Sequence, residues 1–373
     1  MNIFLDDSGS VAGFQSLLKQ ALATDQVEGL LILACDANGF TPESIDPILA
    51  QLSIPVIGGV FPEIIYTKEK YQKGSIVATL SSKPDLHIIK GLSDESIDFS
   101  FAVGEQIPDR KEAKTMMIFV DGLSSRIASL IEGVFIAFGL DCNYIGGGAG
   151  SLSFEQGPCL FTPEGMLEDC AIIGLLDVES GIGVQHGWEN ISGPYKVTQS
   201  DRTIIQKLDG QTAFEVYKEV VEKASGQVFS DDNFFAIAKG YPFGINRLGD
   251  EKIVRDPIVV NEEGGLVCVG EVPQDSYVYI LKGQTTSLVF AASKARALGE
   301  YSFPEGSKAQ THLFIDCISR VLFMEDEFYR ELEAVYDEST PLLGALTLGE
   351  IANFGQEFLE FYNKTAVLGV LEI

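Results

Sequence analysis

Short, unbroken apolar runs recur along the chain, and three of them end at an aspartate. They are Leu30–Asp36, Met116–Asp121 and His312–Asp316. A strand that is buried on both faces of a sheet has such a continuous apolar run, whereas a half-exposed strand alternates apolar and polar residues. Each run therefore predicts a buried strand in a sheet that is covered by helices.

A helical pattern follows each of these predicted strands. After the first, Thr41 is a candidate N-cap, Pro42 occupies the first helical position, and apolar residues recur on one face. After the second, the apolar face of the predicted helix comprises Ile127, Leu130, Ile131, Val134 and Phe138. After the third, it comprises Phe328, Leu332 and Val335. The three runs thus open similar strand–helix segments.

A glycine-bearing apolar segment comes next in each copy, followed by another predicted strand. The glycines are Gly58, Gly146 and Gly344. We therefore predict an α/β or α+β fold of stacked, mixed β-sheets covered by helices, with weakly repeated strand–helix–strand–strand units. If the units are true repeats, the aspartates that end their first strands occupy equivalent places in the fold.

The polar segment Ser225–Asn233, which contains a glycine and two adjacent aspartates, is the candidate domain boundary. We predict one domain over residues 1–225 and a second over residues 226–373. A chain of 373 residues is expected to form two domains or one large α/β unit. The alternative is that this segment is a surface loop inside a single domain.

The net charge of the chain disfavours two classes of binding partner. Lys and Arg number 26 and Asp and Glu number 54, so the net charge is −28. This charge repels phosphate backbones and anionic membrane surfaces, so we predict no nucleic-acid partner and no membrane partner. The first residues carry acids and no basic region, unlike a signal peptide, and no apolar run is long enough to span a bilayer. We therefore predict a cytoplasmic protein.

The cysteines and histidines give no metal or cofactor motif. The six cysteines form no C-x-x-C pair, so we expect reduced and mostly buried thiols. The three histidines, His87, His186 and His312, are far apart in the sequence and form no zinc-binding pattern. Without a P-loop or a complete dinucleotide-binding motif, no cofactor and no metal are predicted.

Candidate ligand-binding residues follow two of the predicted strands. Gly146, Gly147 and Gly148 can bring backbone N–H groups close to a ligand, or they can form a tightly packed strand crossing. His186 and Trp188, at a strand end, can shape the wall of a pocket or form a packed corner.

A second group of candidates follows the third apolar run. Arg320 offers a planar fork for a carboxylate, and Cys317 is either a nucleophile or a buried structural thiol. Glu350 ends an apolar segment, so its charge requires a partner, for which Arg320 is our candidate. That pair is either part of a binding site or purely structural.

The same segments resemble the FIST family, named after F-box and intracellular signal transduction proteins. The family's C-x-G-R motif here reads Cys317-Ile318-Ser319-Arg320, so serine replaces glycine. The other matching segments are YIGGGAGSLSF at 144–154, GPCLFTPEGMLEDCAIIGLL at 157–176, GVQHGWENISGPYKVT at 183–198, KLDGQTAFEVY at 207–217, GALTLGEI at 344–351 and YNKTAVLGVL at 362–371. The resemblance implies a FIST N-terminal and a FIST C-terminal domain that form a sensory module for small ligands.

We therefore expect a non-enzymatic signal-transduction module that binds a small ligand, for example an amino acid or related metabolite. It would pass the signal to a separate signalling protein. In this hypothesis Arg320 holds a ligand carboxylate, Glu350 orients Arg320 or meets a ligand amine, and Cys317 lies beside them. The alternatives are an enzyme that uses Cys317 or His186, and a scaffold that binds only proteins.

Overall fold

A computed structural model describes residues 1–107, 113–230, 232–246, 252–353 and 358–372. The first unit of the fold comprises β1 (Ile3–Asp6), α1 (Val11–Leu22), β2 (Gly29–Cys35), α2 (Pro42–Leu49), β3 (Val56–Phe61), β4 (Glu63–Tyr66), β5 (Glu69–Tyr71) and β6 (Ser75–Leu80). Strands β2 and β3 are parallel, β4 and β5 form a hairpin, and β6 returns antiparallel to β2. Strand β1 completes the unit by pairing with β6.

The second unit repeats this order of elements. It comprises β7 (Asp85–Lys90), α3 (Phe99–Gln106), β8 (Thr115–Asp121), α4 (Ile127–Phe138), β9 (Asn143–Ala149), β10 (Leu160–Thr162), β11 (Gly165–Leu167) and β12 (Cys170–Leu176). Again the first central strand, β8, is parallel to β9 and antiparallel to β12, and β7 pairs with β12. Strands β10 and β11 form the hairpin.

The third unit begins with β13 (Ser180–Gln185) and is then interrupted by an inserted sheet. The insertion comprises β14 (Glu189–Asp201), β15 (Ile204–Leu208), β16 (Gln211–Thr212), α5 (Ala213–Ser225), α6 (Phe234–Ala238), β17 (Phe243–Ile245), β18 (Ile253–Val260), β19 (Leu266–Val269) and β20 (Tyr277–Lys282). Its seven strands are ordered β14-β20-β17-β18-β19-β15-β16, with a further pairing of β14 and β15. We call this the inserted sheet.

The third unit then resumes in the same order as the others. It comprises α7 (Thr285–Ser302), β21 (Thr311–Cys317), α8 (Ile318–Met324), α9 (Tyr329–Val335), β22 (Leu342–Thr347), β23 (Glu350–Asn353), β24 (Leu359–Tyr362) and β25 (Ala366–Leu371). Short 3₁₀ turns lie at Asp36–Asn38 and Glu325–Glu327. Strand β21 is parallel to β22 and antiparallel to β25, as in the first two units.

The three units exchange their hairpins in a cycle. Hairpin β4–β5 extends the sheet of the third unit, β10–β11 extends that of the first, and β23–β24 extends that of the second. The resulting sheets have the orders β1-β6-β2-β3-β10-β11, β7-β12-β8-β9-β23-β24 and β13-β25-β21-β22-β4-β5. The predicted mixed sheets covered by helices are confirmed. The repeat comprises three units, and the sheet of each unit is completed by a hairpin from another unit.

The glycines of the repeat occupy the same position in all three sheets. Each lies opposite a residue of the first central strand, and a Cβ there would come within 2.0 Å of that residue's carbonyl oxygen. The pairs are Gly58 with Ile32, Gly146 with Ile118 and Gly344 with Phe314. Glycine is therefore required by close backbone packing between the two parallel strands.

The aspartates of the three units all lie at the carboxyl end of the first central strand, but in shifted registers. Asp121 is the last residue of β8, Asp316 is the penultimate residue of β21, and Asp36 follows β2. Relative to the repeat glycines, the equivalent position is held by Asp121 in the second unit and by Cys35 and Cys317 in the others. The units are equivalent, whereas the aspartates are displaced by one residue from copy to copy.

Several local predictions are confirmed. Helix α2 begins with Pro42 after a capping box formed by Thr41 and Ser44, and all six cysteines are free and buried. The predicted boundary at 225/226 falls at the end of α5, within the inserted sheet, which takes strands from both sides. Asp231, in the predicted linker, lies outside the described residues. The division into domains stays a prediction.

Candidate functional site

Five buried charged side chains meet where the third unit contacts the inserted sheet. We call this group the ionic centre, and its members are Asp256, Asp316, Arg320, Glu331 and Lys364. They come from β18, the end of β21, α8, α9 and the turn between β24 and β25, respectively. All are nearly or completely inaccessible to solvent, so each charge requires a partner inside the protein.

Arg320 uses its whole guanidinium within the protein. Nε and Nη2 donate to Glu331 Oε1 at 3.0 and 2.5 Å, and Nε also lies 3.1 Å from Asp316 Oδ1. Nη1 donates to the carbonyl oxygens of His186 and Lys364 at 2.7 and 3.1 Å. The second N–H of Nη2 reaches the Leu288 carbonyl at 3.1 Å. This arrangement is closed on itself, as expected of a structural ion pair.

The two carboxyl groups at Arg320 share one positive charge. Burial raises the pKa of both Asp316 and Glu331, and the neighbouring Glu331 raises that of Asp316 further. One oxygen of each, Asp316 Oδ2 and Glu331 Oε2, has no hydrogen-bond partner among the described residues. Arg320 balances one carboxylate, so electroneutrality favours a proton on the other.

Lys364 connects the inserted sheet to α8. Its Nζ lies 3.0 Å from Asp256 Oδ2, donates to the Lys239 carbonyl at 2.9 Å and lies 4.8 Å from the Trp188 ring centre. Its carbonyl oxygen accepts hydrogen bonds from Trp188 Nε1 and Arg320 Nη1. One residue of the β24–β25 turn thus contacts both sides of the boundary.

Glu350 is also buried, but it lies beside the ionic centre and is not ion-paired with Arg320. Its Oε1 accepts from the Thr347 hydroxyl and its Oε2 from the Thr365 N–H, both at 3.1 Å. Burial raises the pKa of Glu350 to about 8 despite these bonds. The predicted partnership is therefore replaced by Arg320 with Glu331, and Glu350 is held by neutral groups.

Cys317 and His186, the two residues of the enzymatic alternative, are both buried. Cys317 is buried against the Glu350 carboxyl, and burial raises the pKa of its thiol well above the usual value. His186 is buried, its Nδ1 accepts the Trp188 N–H at 2.8 Å, and burial followed by the Arg320 charge lowers its pKa to about 3. A thiol held neutral is a poor nucleophile, so these contacts do not favour the enzymatic alternative.

The glycine segment belongs to the sheet and not to an open loop. Gly146 pairs with Ile351 and Gly147 with Glu350 across β9 and β23, and the Gly148 N–H donates to the Gly349 carbonyl at 2.8 Å. Close packing between strands therefore explains why glycines occupy these positions. The ligand-binding roles predicted for them, and for Arg320, Glu350, Cys317, His186 and Trp188, stay predictions.

A large open groove lies next to the ionic centre, between α4, β24 and the inserted sheet. Its volume is about 1110 Å³, and we call it the α4 groove. Apolar side chains form much of its lining: Ile131, Phe135, Ile136, Ile245, Phe358 and Phe361. Among the residues that the structure describes, the charged ones that line it are Arg255, Glu132, Glu271 and Glu360. A concave, largely apolar site with a few charged groups is typical of a small-molecule site.

Arg255 joins the groove to the ionic centre. It lines the groove, and its Nε donates to the Glu271 carbonyl at 2.9 Å. Its Nη1 donates to the Phe361 carbonyl at 3.1 Å and lies 3.3 Å from Asn363 Oδ1, immediately before Lys364. The next residue of β18, Asp256, is the partner of Lys364.

Sequence reasoning missed four residues of this region: Arg255, Asp256, Glu331 and Lys364. The sequence does indicate that Lys364 is unusual, because it is a single cation within the apolar segment Glu360–Leu371. Glu331 lies in an acidic run, a pattern that is typical of solvated side chains. Burial raises the pKa of Asp256, and the nearby Lys364 and Ser319 partly offset this shift. Ser319, which departs from the family motif, therefore lies at the ionic centre.

Comparison with known families matches residues 29–211 to the FIST N domain and residues 213–353 to the FIST C domain. The chain belongs to the FIST family. FIST domains are associated with sensory functions in signal transduction. Comparison with curated proteins finds no match. Across the described ranges, no helix has the length and apolar character required to cross a membrane.

Proposed function

We propose that this FIST protein is a cytoplasmic sensory module that binds a small molecule in the α4 groove and signals to a separate protein. The observation that carries the proposal is the position of Arg255. It lines the groove, while the adjacent Asp256 is paired with Lys364 in the ionic centre. A ligand at Arg255 therefore acts one residue away from the buried charges that join the inserted sheet to the third unit.

The lining of the groove suits a ligand with an apolar body and charges of both signs. Arg255 is nearly buried and donates to the Glu271 and Phe361 carbonyls, so its positive charge at the wall of the groove would attract a ligand carboxylate. Glu132 and Glu271 favour a cationic group such as an ammonium. An amino acid with a large apolar side chain, or a related zwitterionic metabolite, has this chemistry.

The signal would pass along hydrogen bonds that are already present. Arg255 donates to the Phe361 carbonyl of β24, Lys364 lies in the turn that follows this strand, and the Lys364 carbonyl accepts from Arg320. Arg320 in turn contacts α7 through the Leu288 carbonyl and α9 through Glu331. A ligand that changes the position of Arg255 therefore biases the packing of α7 and α9.

The test is a thermal-shift series with leucine and phenylalanine, their carboxamides and their N-acetyl derivatives. We expect the zwitterions to raise the melting temperature, and both neutralised series to raise it less. A ligand at a hundred times its Kd adds about 2.7 kcal/mol to the free energy of unfolding. The proposal is wrong if no compound stabilises the wild-type protein.

A matched pair of variants localises the effect. Ala128→Trp places an indole in the α4 groove, whereas Leu22→Trp places one on an exposed face of α1. We expect Ala128→Trp to abolish ligand stabilisation and Leu22→Trp to retain it. If both variants respond like the wild type, the ligand binds outside the groove.

A further inference from the structure

Helices α7 and α9 expose three large aromatic side chains. Tyr301 is 90% exposed, Phe290 is 66% exposed and Tyr329 is 57% exposed. Phe290 and Tyr301 are eleven residues apart, close to three helical turns, so they lie on one face of α7. Ser293 and Ala297 lie between them on this face and are too small to cover the rings, and the exposed Lys294 lies on the same face. A group of exposed aromatic rings is typical of an interaction surface.

Contacts along α7 and α9 show how the two helices lie. Near the start of each helix, Arg320 bonds both the Leu288 carbonyl of α7 and Glu331 of α9. Further along, Arg296 of α7 donates to the Tyr336 carbonyl that follows α9. The helices therefore run side by side in the same direction. The exposed tyrosine at the start of α9 lies toward the α7 end that carries the exposed phenylalanine.

The surface beside these rings is strongly acidic. Residues 325–338 contain seven acidic side chains and one arginine. Four of the acids are paired with cations: Glu325, Glu327, Glu331 and Asp337. The exposed acids that have no ion-pair partner among the described residues are Asp326, Glu333 and Glu338. Their charges are available to a cationic partner.

We infer that the exposed face of α7 and α9 is a docking surface for a basic amphipathic segment of a signalling protein. Apolar residues of that segment would pack on Phe290, Tyr301 and Tyr329, and its lysines or arginines would face the unpaired acids. Charge favours this occupant over a second copy of the chain, because two molecules of net charge −28 repel each other.

The inference deepens the proposed function, because it names the surface through which the signal leaves the module. Arg320 bonds to both helices of the docking surface and, through the Lys364 carbonyl, to the turn next to the α4 groove. The two sites are thus joined by buried hydrogen bonds, while their binding partners differ in chemistry and are tested separately.

The experiment uses the full chain and a synthetic amphipathic helix made of leucine and lysine, with its glutamate counterpart as a control peptide. Binding is measured by fluorescence anisotropy at low and high salt. We expect the lysine peptide to bind, more weakly at high salt, and the glutamate peptide not to bind. The double variant Phe290→Ser with Tyr301→Ser keeps the charge of the protein unchanged, and we expect it to raise the Kd about tenfold or more.

The matched control is Phe101→Ser with Val228→Ser, which removes side chains that are 66% and 70% exposed elsewhere. We expect it to leave the Kd within about twofold of the wild-type value, as for residues outside an interface. The inference is overturned if both double variants lose affinity equally, if neither does, or if the glutamate peptide binds as well. It is also overturned if sedimentation shows a wild-type dimer that the first double variant dissociates.

The amino-acid thermal shift separates this inference from the proposed function. The Phe290→Ser and Tyr301→Ser variant should keep the ligand response of the wild type, because both residues lie outside the α4 groove. If the peptide binds as expected while no amino acid stabilises any variant, the docking surface stands and the proposed ligand site is wrong.

Discussion

Lys364 and Asp256 form a buried ion pair, with 3.0 Å between Nζ and Oδ2, that joins the β24–β25 turn to the inserted sheet. Removing the ammonium leaves a buried carboxylate without its cation. We expect Lys364→Met to lower the free energy of unfolding by about 3–5 kcal/mol, as for other broken buried pairs. Urea denaturation followed by circular dichroism measures this change.

A double-mutant cycle separates the ion pair from the packing of the lysine chain. Asp256→Asn alone removes the charge of the partner and keeps its shape, and the double variant removes both charges. We expect the double variant to be more stable than Lys364→Met alone, because no uncompensated charge remains. If the loss of unfolding free energy in the double variant equals the sum of the losses in the two single variants, the two charges are not energetically coupled.

Arg320 gives the second prediction. It is completely buried and donates to two carboxylate-bearing residues and three backbone carbonyls. We expect Arg320→Ala to destabilise the protein by about 3–5 kcal/mol, or to prevent folding, because each of these partners loses a hydrogen bond or ion pair and the buried carboxylates lose their cation. A variant that stays folded with wild-type stability but no longer responds to amino acids would instead support the ligand clamp predicted from the sequence.

Glu350 predicts a pH dependence of stability. Its pKa is about 8 in the folded protein and near 4.5 when solvated. Between these values the folded state binds the extra proton, so the stabilising contribution is complete below about pH 4.5 and is lost as the pH rises through 8. Each pH unit in this window lowers the free energy of unfolding by up to about 1.4 kcal/mol.

The test compares the wild type with Glu350→Gln from mildly acidic to mildly alkaline pH. Glutamine has nearly the same shape and no titrating proton, so this slope should be absent in the variant. The difference in unfolding free energy between the two proteins should then shift in favour of Glu350→Gln as the pH rises. A constant difference would show that Glu350 titrates alike in both states.

The repeated units could be predicted from the sequence because their central strands are buried on both faces. Strands β2, β8 and β21 are continuous apolar runs, and periodicity identifies such runs without knowledge of the partner strand. The exchange of hairpins could not be predicted. Strand β4 has four residues and pairs with β22, which lies far away in the sequence. Nothing local to Glu63–Tyr66 specifies that sheet.

The candidate site was predicted only in part. Arg320 and Glu350 stand out because each is a charge in apolar surroundings, and both are indeed buried. The prediction that they pair with each other was wrong. A charge in an apolar segment shows that a partner is required, but it does not show which residue provides that partner. Glu331 is adjacent to the predicted core residue Leu332, but its place in an acidic run indicates a solvated side chain. Only the packing of α8 against α9 turns that carboxylate inward.

Gly146 provides the last prediction, which distinguishes strand packing from ligand binding at the glycine segment. A Cβ at this position would lie 1.7 Å from the Ile118 carbonyl oxygen. We expect Gly146→Ala to cost more than the roughly 1–3 kcal/mol of ordinary overpacking, because the clash is with backbone and not with a flexible side chain. Gly104→Ala is the control, since a Cβ there meets nothing within 4 Å and alanine favours the helix by about 0.5–1 kcal/mol. Thermal and urea unfolding of the two variants measure the contrast. If Gly146→Ala retains wild-type stability and loses only its response to ligands, the glycine allows the ligand to approach the backbone closely, which is the alternative to strand packing that the sequence leaves open.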